Sequence, residues 1–146
     1  MQERIYKENV SDPANDRICR DKKETEDTDK SSMSNWELFH CEGLRLFKVE
    51  KKYRESIEAF SKAISHAEEA QRGKSDFARA LVYYELSDYS NVITDCTAAI
   101  NFKFNFEAYQ IFKLYSTRGM AYKHKGDIYK ANADFEMTAK LFVRFE

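Results

Sequence analysis

Apolar residues recur every three or four positions from residue 34 to residue 143, which is the spacing of amphipathic helices that pack through one face. The segment before residue 33 lacks this pattern. The clearest stretch is RGMAYKHKGDIYKANADF (118–135), which predicts two helices joined by a tight turn at Gly126-Asp127. We therefore predict a helical hairpin in this part of the chain.

Small and aromatic residues are spaced within this hairpin in a way that favours close packing of its two helices. Gly119 stands three residues before Tyr122, and Ala131 stands four residues before Phe135, so each pair lies on one side of its helix. Gly119 is small enough to let the second helix lie close, with Tyr122 packing against that helix. The same spacing can be sought earlier in the chain.

A copy of this pattern lies at about residues 74–105. Ala80 takes the place of the small residue, Tyr83 is the aromatic residue three positions later, and Ser87-Asp88 predicts the turn. Ala80 therefore corresponds to Gly119. The sequence predicts a second hairpin of similar construction.

Another copy begins at residue 34, where the tetrapeptide SNWE (34–37) has the spacing of a helix capping box. Its first helix is expected to end near residue 48 and holds Gly43 in the place of the small residue. Its second helix is expected over residues 53–70, with Gly73 ending the unit.

These three hairpins make the chain all-α, and we expect them to stack because one hairpin cannot bury its apolar face alone. The recurring spacing resembles the tetratricopeptide repeat superfamily, and the resemblance covers residues 34–143. It implies a right-handed α-α superhelix of three hairpins in a domain of residues 33–146, with repeats at about 34–70, 74–105 and 106–142. The proline that usually ends each repeat is absent here, since Pro13 is the only proline.

The segment of residues 1–32 is predicted to be a disordered, charged N-terminal arm. It holds seven Lys or Arg residues and nine Asp or Glu residues, and too few apolar side chains to offset the entropy of ordering it. Its apolar residues Ile5, Tyr6 and Val10 form a candidate docking motif.

Composition and charge narrow the classes of function. The net charge is −1 and basic residues are interleaved with acidic ones, which argues against a nucleic-acid partner. No apolar run is long enough to span a membrane, and the N-terminus shows no secretory signal. With three cysteines at unpaired spacing, we expect reduced thiols and a cytoplasmic protein.

Within the superfamily, the chain is most similar to the tetratricopeptide repeat protein 36 family and less so to the tetratricopeptide repeat protein 32 family. The matching stretches are Arg79-Ala80 with Asp88, and Arg118-Gly119 through Asp134-Phe135. The resemblance implies a non-enzymatic adaptor without a cofactor that binds a protein, with heat-shock protein 70 as one partner and a link to tyrosine catabolism.

In this architecture the first helix of each hairpin lines the concave face, where a partner binds. The spacing then places these residues in the groove: His40, Leu44, Phe47, Phe77, Leu81, Tyr84, Lys113, Met120 and Lys123. Most are apolar or aromatic, which favours an apolar helix or extended peptide as the ligand. The alternative is that several of them only pack between neighbouring hairpins.

Chaperone-binding relatives hold acidic C-termini with a clamp of two Lys, two Asn and one Arg. The matching positions here are His40, Leu44, Ala78, Lys113 and Thr117, so only the lysine at 113 is kept. Because each lost charged donor removes about 1.5–3 kcal/mol, a chaperone contact is expected to use another surface.

Two further alternatives stay open at this stage. The acidic arm is a candidate for lying in the groove until it is displaced. Leu141, Phe142, Val143 and Phe145 either fold against the last hairpin, which we favour, or form a dimer contact, so we expect a monomer or a weak homodimer.

The chain shows no motif for catalysis. His40, His66 and His124 fall in three different predicted helices without ligand spacing, which argues against a zinc site. His40 and Cys41 are adjacent and lack an orienting third group. Glu68-Glu69 is interpreted as surface charge.

Overall fold

The computed structural model describes Cys19 and residues 32–143, and the structural statements below concern these residues. Its helices are α1 (Asn35–Lys48), α2 (Tyr53–His66), α3 (Glu69–Glu85), α4 (Tyr89–Ile100), α5 (Ala108–His124) and α6 (Ile128–Val143), with a 3-10 turn at Lys103–Asn105. No strand occurs in this part of the chain, so the prediction of an all-α protein is confirmed. The expected disorder of the arm, its motif at Ile5, Tyr6 and Val10, and the side chains of Phe142, Val143 and Phe145 lie outside the described residues.

The helices form three successive pairs, α1 with α2, α3 with α4, and α5 with α6. The pairs are joined because α2 packs on α3 and α4 packs on α5. The first helices also touch one another in order, α1 with α3 and α3 with α5. They therefore form one continuous layer.

The small residues predicted to allow close approach do face the second helix of their own pair. A Cβ atom on Gly43 would lie 2.7 Å from the ring of Phe60, and one on Gly119 would lie 2.7 Å from the ring of Phe135. Ala80 is fully buried in a cluster that also holds Cys96. Glycine therefore stands where the opposite helix brings a phenyl ring.

The three hairpin turns close in a similar way. Each has a residue with positive φ, at Lys51 (53°), Ser87 (57°) and Gly126 (84°). The next amide donates back to the first helix, from Asp88 to the Tyr83 carbonyl at 3.0 Å and from Asp127 to the Tyr122 carbonyl at 2.9 Å. This is the Schellman closure of a helix C-terminus.

The first turn is one residue longer than the other two. There the Lys52 amide donates to the Leu46 carbonyl at 2.8 Å, six residues back instead of five. The second helices of the later hairpins are capped by aspartates, because Asp88 accepts from the Asn91 amide and Asp127 from the Lys130 amide.

The predicted end of the first unit is wrong. Gly73 does not end it but lies inside α3, and α2 ends at His66 instead of residue 70. The reason is a capping box in which the Glu68 side chain accepts from the backbone while Gln71 reaches back to the Glu68 amide at 3.0 Å, which starts α3 early. Gly73 then receives the side chains of Phe102 and Phe106, each 3.1 Å from a Cβ built there.

The long connection before α5 is compact. Phe106 is buried and its ring meets that of Phe77 edge to face, with the centroids 6.4 Å apart. A second capping box, Glu107 with Gln110, then starts α5. From the sequence we expect lengthened helices on both sides of this connection; this expectation is wrong for α4, which has 12 residues, and α5 has 17 residues, the same length as α3.

Two arginines join helices at matching places. Arg79 donates to both carboxylate oxygens of Asp95 at 2.8 and 2.7 Å, and Arg118 does the same to Asp134 at 2.9 and 2.7 Å. Each arginine also donates to a hydroxyl of the preceding hairpin, Arg79 to Ser61 at 3.0 Å and Arg118 to Thr97 at 3.2 Å. Such bidentate pairs are strong and directional.

The expectation of three reduced cysteines is wrong for two of them. Cys19 and Cys41 form a disulfide although they are 22 residues apart, while Cys96 is free and buried. Sequence spacing does not reveal this pair, because the contact depends on where the N-terminal segment meets α1. No described helix has the length and apolar character needed to cross a membrane.

Candidate functional site

The layer of first helices α1, α3 and α5 carries all nine residues predicted to line a groove. Their side chains differ in exposure. His40, Leu44 and Phe77 are 1%, 6% and 0% exposed, so they belong to the core and cannot contact a partner. For these three, the alternative of packing between hairpins is correct.

His40 is held in a polar contact between α1 and α3. Its ring stacks on Trp36 with centroids 4.9 Å apart, and its Nδ1 shares a hydrogen bond of 2.9 Å with the Ser75 hydroxyl. Trp36 Nε1 donates to the same oxygen at 2.8 Å. Because indole can only donate, Ser75 accepts from Trp36 and can turn its own hydrogen to His40. This buried network fixes the first hairpin to the second.

Phe77 and Leu44 anchor two separate apolar clusters. The first-hairpin cluster consists of Leu44, Phe60, Ala78 and Val82, from α1, α2 and α3. The second-hairpin cluster includes Phe77 and is drawn from α3, α4, α5 and the connection before α5. Their positions follow from helical spacing, but exposure does not, since a period of 3.6 cannot tell a groove from a helix interface.

The other predicted groove residues reach solvent. Phe47, Leu81, Tyr84 and Lys113 are half-buried, and Met120 and Lys123 are exposed. We call these six residues the first-helix face. Leu81 packs against both apolar clusters, which places it at the middle of this face.

An aromatic group closes one edge of the first-helix face. The Tyr84 ring meets those of Tyr89 and His124 edge to face at 5.6 and 6.2 Å, and the Tyr89 and His124 rings stack at 4.4 Å. Burial raises the pKa of Tyr84, so its phenol stays neutral at physiological pH. These contacts hold Tyr84 as a rigid apolar anchor.

Cys19 lies at this layer, which the sequence does not predict. It is half-buried, bonded to Cys41 of α1, and packs against the first-hairpin cluster. A residue from the N-terminal segment is therefore already seated beside the first two hairpins.

Asp76 is a second feature that sequence reasoning misses. It is 2% exposed on α3, and within the described part of the chain its Oδ2 has no hydrogen-bond partner. Burial, with the nearby charge of Asp95, raises the pKa of Asp76 to about 6, against the opposing charges of Arg79 and Arg72. A charged residue on the buried stripe of α3 is the only signal in the sequence.

The positions that match a carboxylate clamp carry little donor capacity. Ala78 is fully buried, and the Thr117 hydroxyl donates to the Lys113 carbonyl of its own helix at 2.7 Å. With His40 and Leu44 in the core, Lys113 is the one cation at these positions. The site cannot fix a terminal carboxylate through several charged donors.

The cysteines and the glutamate that were considered as catalytic candidates are engaged in structural contacts or buried. Cys41 is bonded to Cys19, and burial raises the pKa of the Cys96 thiol far above its usual range. Glu68 starts α3 as its N-cap. Across the described residues, no three His, Cys, Asp or Glu side chains gather in a way that would hold a metal ion.

None of the protein-family models matches this chain, and comparisons with curated proteins and with solved structures give no match either.

Proposed function

We propose that this chain is a non-enzymatic adaptor of the tetratricopeptide repeat type, a right-handed superhelix that binds a segment of another protein on its first-helix face. Three helical pairs in series support the repeat architecture. So do the glycines at 43 and 119, each of which faces a phenyl ring of its paired helix.

Matching contacts in the second and third hairpins support a common repeating unit. Arg118 stands in the third hairpin where Arg79 stands in the second, and both pair with an aspartate 16 residues further on. The capping boxes at Glu68 and Glu107 recur at the same interval as these two arginines. A constant interval between equivalent residues is typical of stacked helical hairpins.

One observation carries the binding function: the middle of the first-helix face is apolar and partly open. Leu81 sits half-buried between two clusters, with Tyr84 beside it held by aromatic contacts. Rigid aromatic and aliphatic side chains of this kind are the usual anchors of an interface.

The charge of the face indicates the chemistry of its partner. Lys113 and Lys123 both lie on α5, at one end of the layer. Met120 lies between them in the sequence, and 37% of it is exposed. A segment with apolar side chains over α1 and α3 and a carboxylate over α5 fits this arrangement.

A peptide selection tests the proposal on the full chain. Random peptides displayed on phage are selected against the protein with and without dithiothreitol. We expect enriched peptides that combine apolar and acidic residues and bind at least about tenfold more weakly to Leu81→Glu.

The matched control is Thr94→Glu, which adds the same charge on an exposed position of α4. Its affinity should equal that of the wild type, and melting followed by circular dichroism confirms that both variants fold. If no peptide is enriched, or if Leu81→Glu binds as well as the control, the first-helix face is not the binding site.

A heat-shock protein 70 contact is a second candidate, favoured only in a mode without the clamp. The lack of clamp donors at Ala78 and Thr117 is the observation behind this restriction. Binding to a chaperone lacking its acidic C-terminal tail would support this mode, and loss of binding when the tail is removed would contradict it.

A further inference from the structure

The starting observation is that Cys19 is held at the layer of first helices. Its sulfur is bonded to Cys41 on α1, and its side chain packs on the cluster formed by Leu44, Phe60, Ala78 and Val82. Ala78 belongs to α3, so this contact reaches the second hairpin. Cys19 therefore marks where the N-terminal segment meets the binding layer.

Chain connectivity alone does not fix Cys19 there. The chain of residues 20–31 links it to Ser32, and a chain of that length can span about 40 Å when extended. The distance along α1 from its start to Cys41 is only about 10 Å, at 1.5 Å per residue. The disulfide is thus the element that holds this contact in place.

The segment before Cys19, residues 1–18, is long enough to cross the rest of the layer. Neighbouring helices pack about 8–10 Å apart, so a path from α1 over α3 to α5 measures about 20 Å. Extended chain covers that distance in about six residues. Reaching Lys113 and Lys123 on α5 needs only part of this segment.

The composition of this segment fits the first-helix face. Ile18 precedes Cys19, and the candidate docking residues Ile5, Tyr6 and Val10 are the other large apolar aliphatic and aromatic side chains of the stretch. Four acidic residues, Glu3, Glu8, Asp12 and Asp16, and three basic residues, Arg4, Lys7 and Arg17, are interspersed among them, so the side chains of the stretch carry a net charge of −1. The apolar and acidic side chains of the stretch are of the kinds that the face is proposed to bind, and the basic ones would have to point away from Lys113 and Lys123.

We propose that residues 1–19 are an intramolecular occupant of the first-helix face, locked there by the Cys19–Cys41 disulfide and released by a dithiol reductant. This inference rests on the proposed function, because it names what regulates the same face. A partner segment binds readily only after the lock is opened.

The release step is a thiol–disulfide exchange. A thiolate of the reductant attacks one sulfur, the cystine S–S bond breaks, and the other cysteine leaves as a thiolate that takes a proton. The second thiol of the reductant then displaces the first cysteine, so two electrons pass to the protein and the reductant becomes a cyclic disulfide. The products are two cysteine thiols.

The disulfide changes the affinity of the face for a partner because it tethers residues 1–19 close to the face. While the disulfide is intact, a partner must compete with a segment fixed at the face. After reduction the nearest covalent attachment of the segment to α1 runs through Ser32, and its effective concentration at the face falls with the longer linker.

Site-specific photocrosslinking in the full chain tests this. A benzophenone amino acid replaces Met120, which is exposed on α5, or Leu81, and a third variant carries it at Thr94 on α4 as the control. Intrachain adducts are mapped by mass spectrometry before and after dithiothreitol. Circular dichroism melting confirms that each variant folds.

We expect adducts from positions 81 and 120 to residues 1–19 in the oxidised protein, falling by about tenfold on reduction. Cys19→Ser should give the reduced pattern with or without dithiothreitol, and Cys96→Ser should respond as the wild type. Absence of these adducts in the oxidised protein, equal adducts in both redox states, or equal adducts from Thr94 would overturn the inference.

The two proposals fail in different ways. Peptides selected equally well in both redox states, without intrachain adducts, would leave the binding function standing and remove the lock. Redox-dependent adducts with no peptide selected by the reduced protein would confirm the lock and remove an external partner at this face.

Discussion

Phe135 fills the space that a side chain on Gly119 would need. A Cβ atom at Gly119 would lie 2.7 Å from Cε1 of the Phe135 ring, closer than two carbon atoms can approach without a shift. The ring and the glycine come from α5 and α6, the two helices of one hairpin. The separation of these helices is therefore set by the absence of one methyl group.

Replacing this glycine should destabilise the protein. Gly119→Ala forces the Phe135 ring to move, and overpacking of this kind lowers the free energy of unfolding by about 1–3 kcal/mol. Urea unfolding followed by circular dichroism measures the change. Alanine lowers the conformational entropy of the unfolded chain relative to glycine, which by itself would stabilise the folded state. A net loss of unfolding free energy therefore shows that the clash with the Phe135 ring outweighs this gain.

The second hairpin supplies the control for this prediction, because Ala80 there shares a cluster with Cys96. Gly119→Ala combined with Phe135→Cys reproduces that pair. In the Phe135→Cys background, Gly119→Ala should lower the free energy of unfolding by about 1 kcal/mol less than it does in the wild type. An unchanged cost would show that the ring is not the obstacle.

Removing one partner of a buried ion pair should also be costly. Asp134→Asn leaves the shape but removes the charge facing Arg118, whose side chain is only 17% exposed. We expect a loss of about 2–3 kcal/mol in unfolding free energy, below the value for a fully buried pair because the arginine retains some solvent. Asp95→Asn should behave similarly, since its pair has the same geometry.

The exposed pair between Arg45 and Glu42 is the matched control. Its side chains are 44% and 46% exposed, and surface pairs of this kind contribute little. Glu42→Gln should leave the urea midpoint unchanged at physiological salt. A loss equal to that of Asp134→Asn would mean that burial does not distinguish the two pairs.

Asp76 should make stability depend on pH. Its pKa is about 6 in the folded chain and 3.8 for an unperturbed carboxyl, so between these values the folded state binds more protons than the unfolded state. Stability from this group is therefore present at low pH and is lost as pH rises from about 4 to 6, by up to about 3 kcal/mol.

Asp76→Asn removes this titration. The unfolding free energy of the variant minus that of the wild type should become more positive from pH 4 to pH 7, measured by urea unfolding at each pH. Comparing the two proteins cancels the titration of groups that do not interact with Asp76. A difference that does not vary with pH would show that Asp76 titrates normally.

Core and surface residues of the predicted groove should respond differently to truncation. Phe77→Ala removes a fully buried ring and should cost about 3–5 kcal/mol of unfolding free energy. Met120→Ala removes a side chain that is 37% exposed and should change stability by less than about 1 kcal/mol. Thermal and urea unfolding of both variants check this, and a mild effect of Phe77→Ala would contradict the core position.

The three cysteines should differ in reactivity. Without reductant, iodoacetamide should label none in the native protein, since Cys19 and Cys41 are joined and the Cys96 thiol is buried. After dithiothreitol, two thiols should react and Cys96 only upon unfolding, because burial keeps its thiol protonated. Mass spectrometry counts the labels, and early labelling of Cys96 would contradict its burial.

Sequence reasoning predicts well what depends on neighbours along a helix. The hairpin turns at Ser87 and Gly126 and the small residues at 43 and 119 follow from local spacing and local sterics. The start of α3 does not, because the capping strength of Glu68 with Gln71 competes with a glycine that looks like a helix end. Gly73 stays inside the helix, where Phe102 and Phe106 pack on it.

Exposure and long-range pairs are harder to predict. Phe77 and Leu81 lie one helical turn apart on one stripe, yet the first is buried by Phe106 from the connection before α5, while the second stays partly open. The Cys19–Cys41 bond and the arginine–aspartate pairs likewise depend on which segments meet. Periodicity indicates the stripe but not what covers it.

The position of Arg79 has a mechanical consequence, because this side chain links three helices. It belongs to α3 and donates hydrogen bonds to Asp95 of α4 and to Ser61 of α2. Arg118 does the same one hairpin later through Asp134 and Thr97. When tension is applied to the ends of the chain, a hairpin cannot slide off its neighbour without breaking these directional links. Each boundary between hairpins therefore resists shear through one directional hydrogen bond in addition to apolar packing.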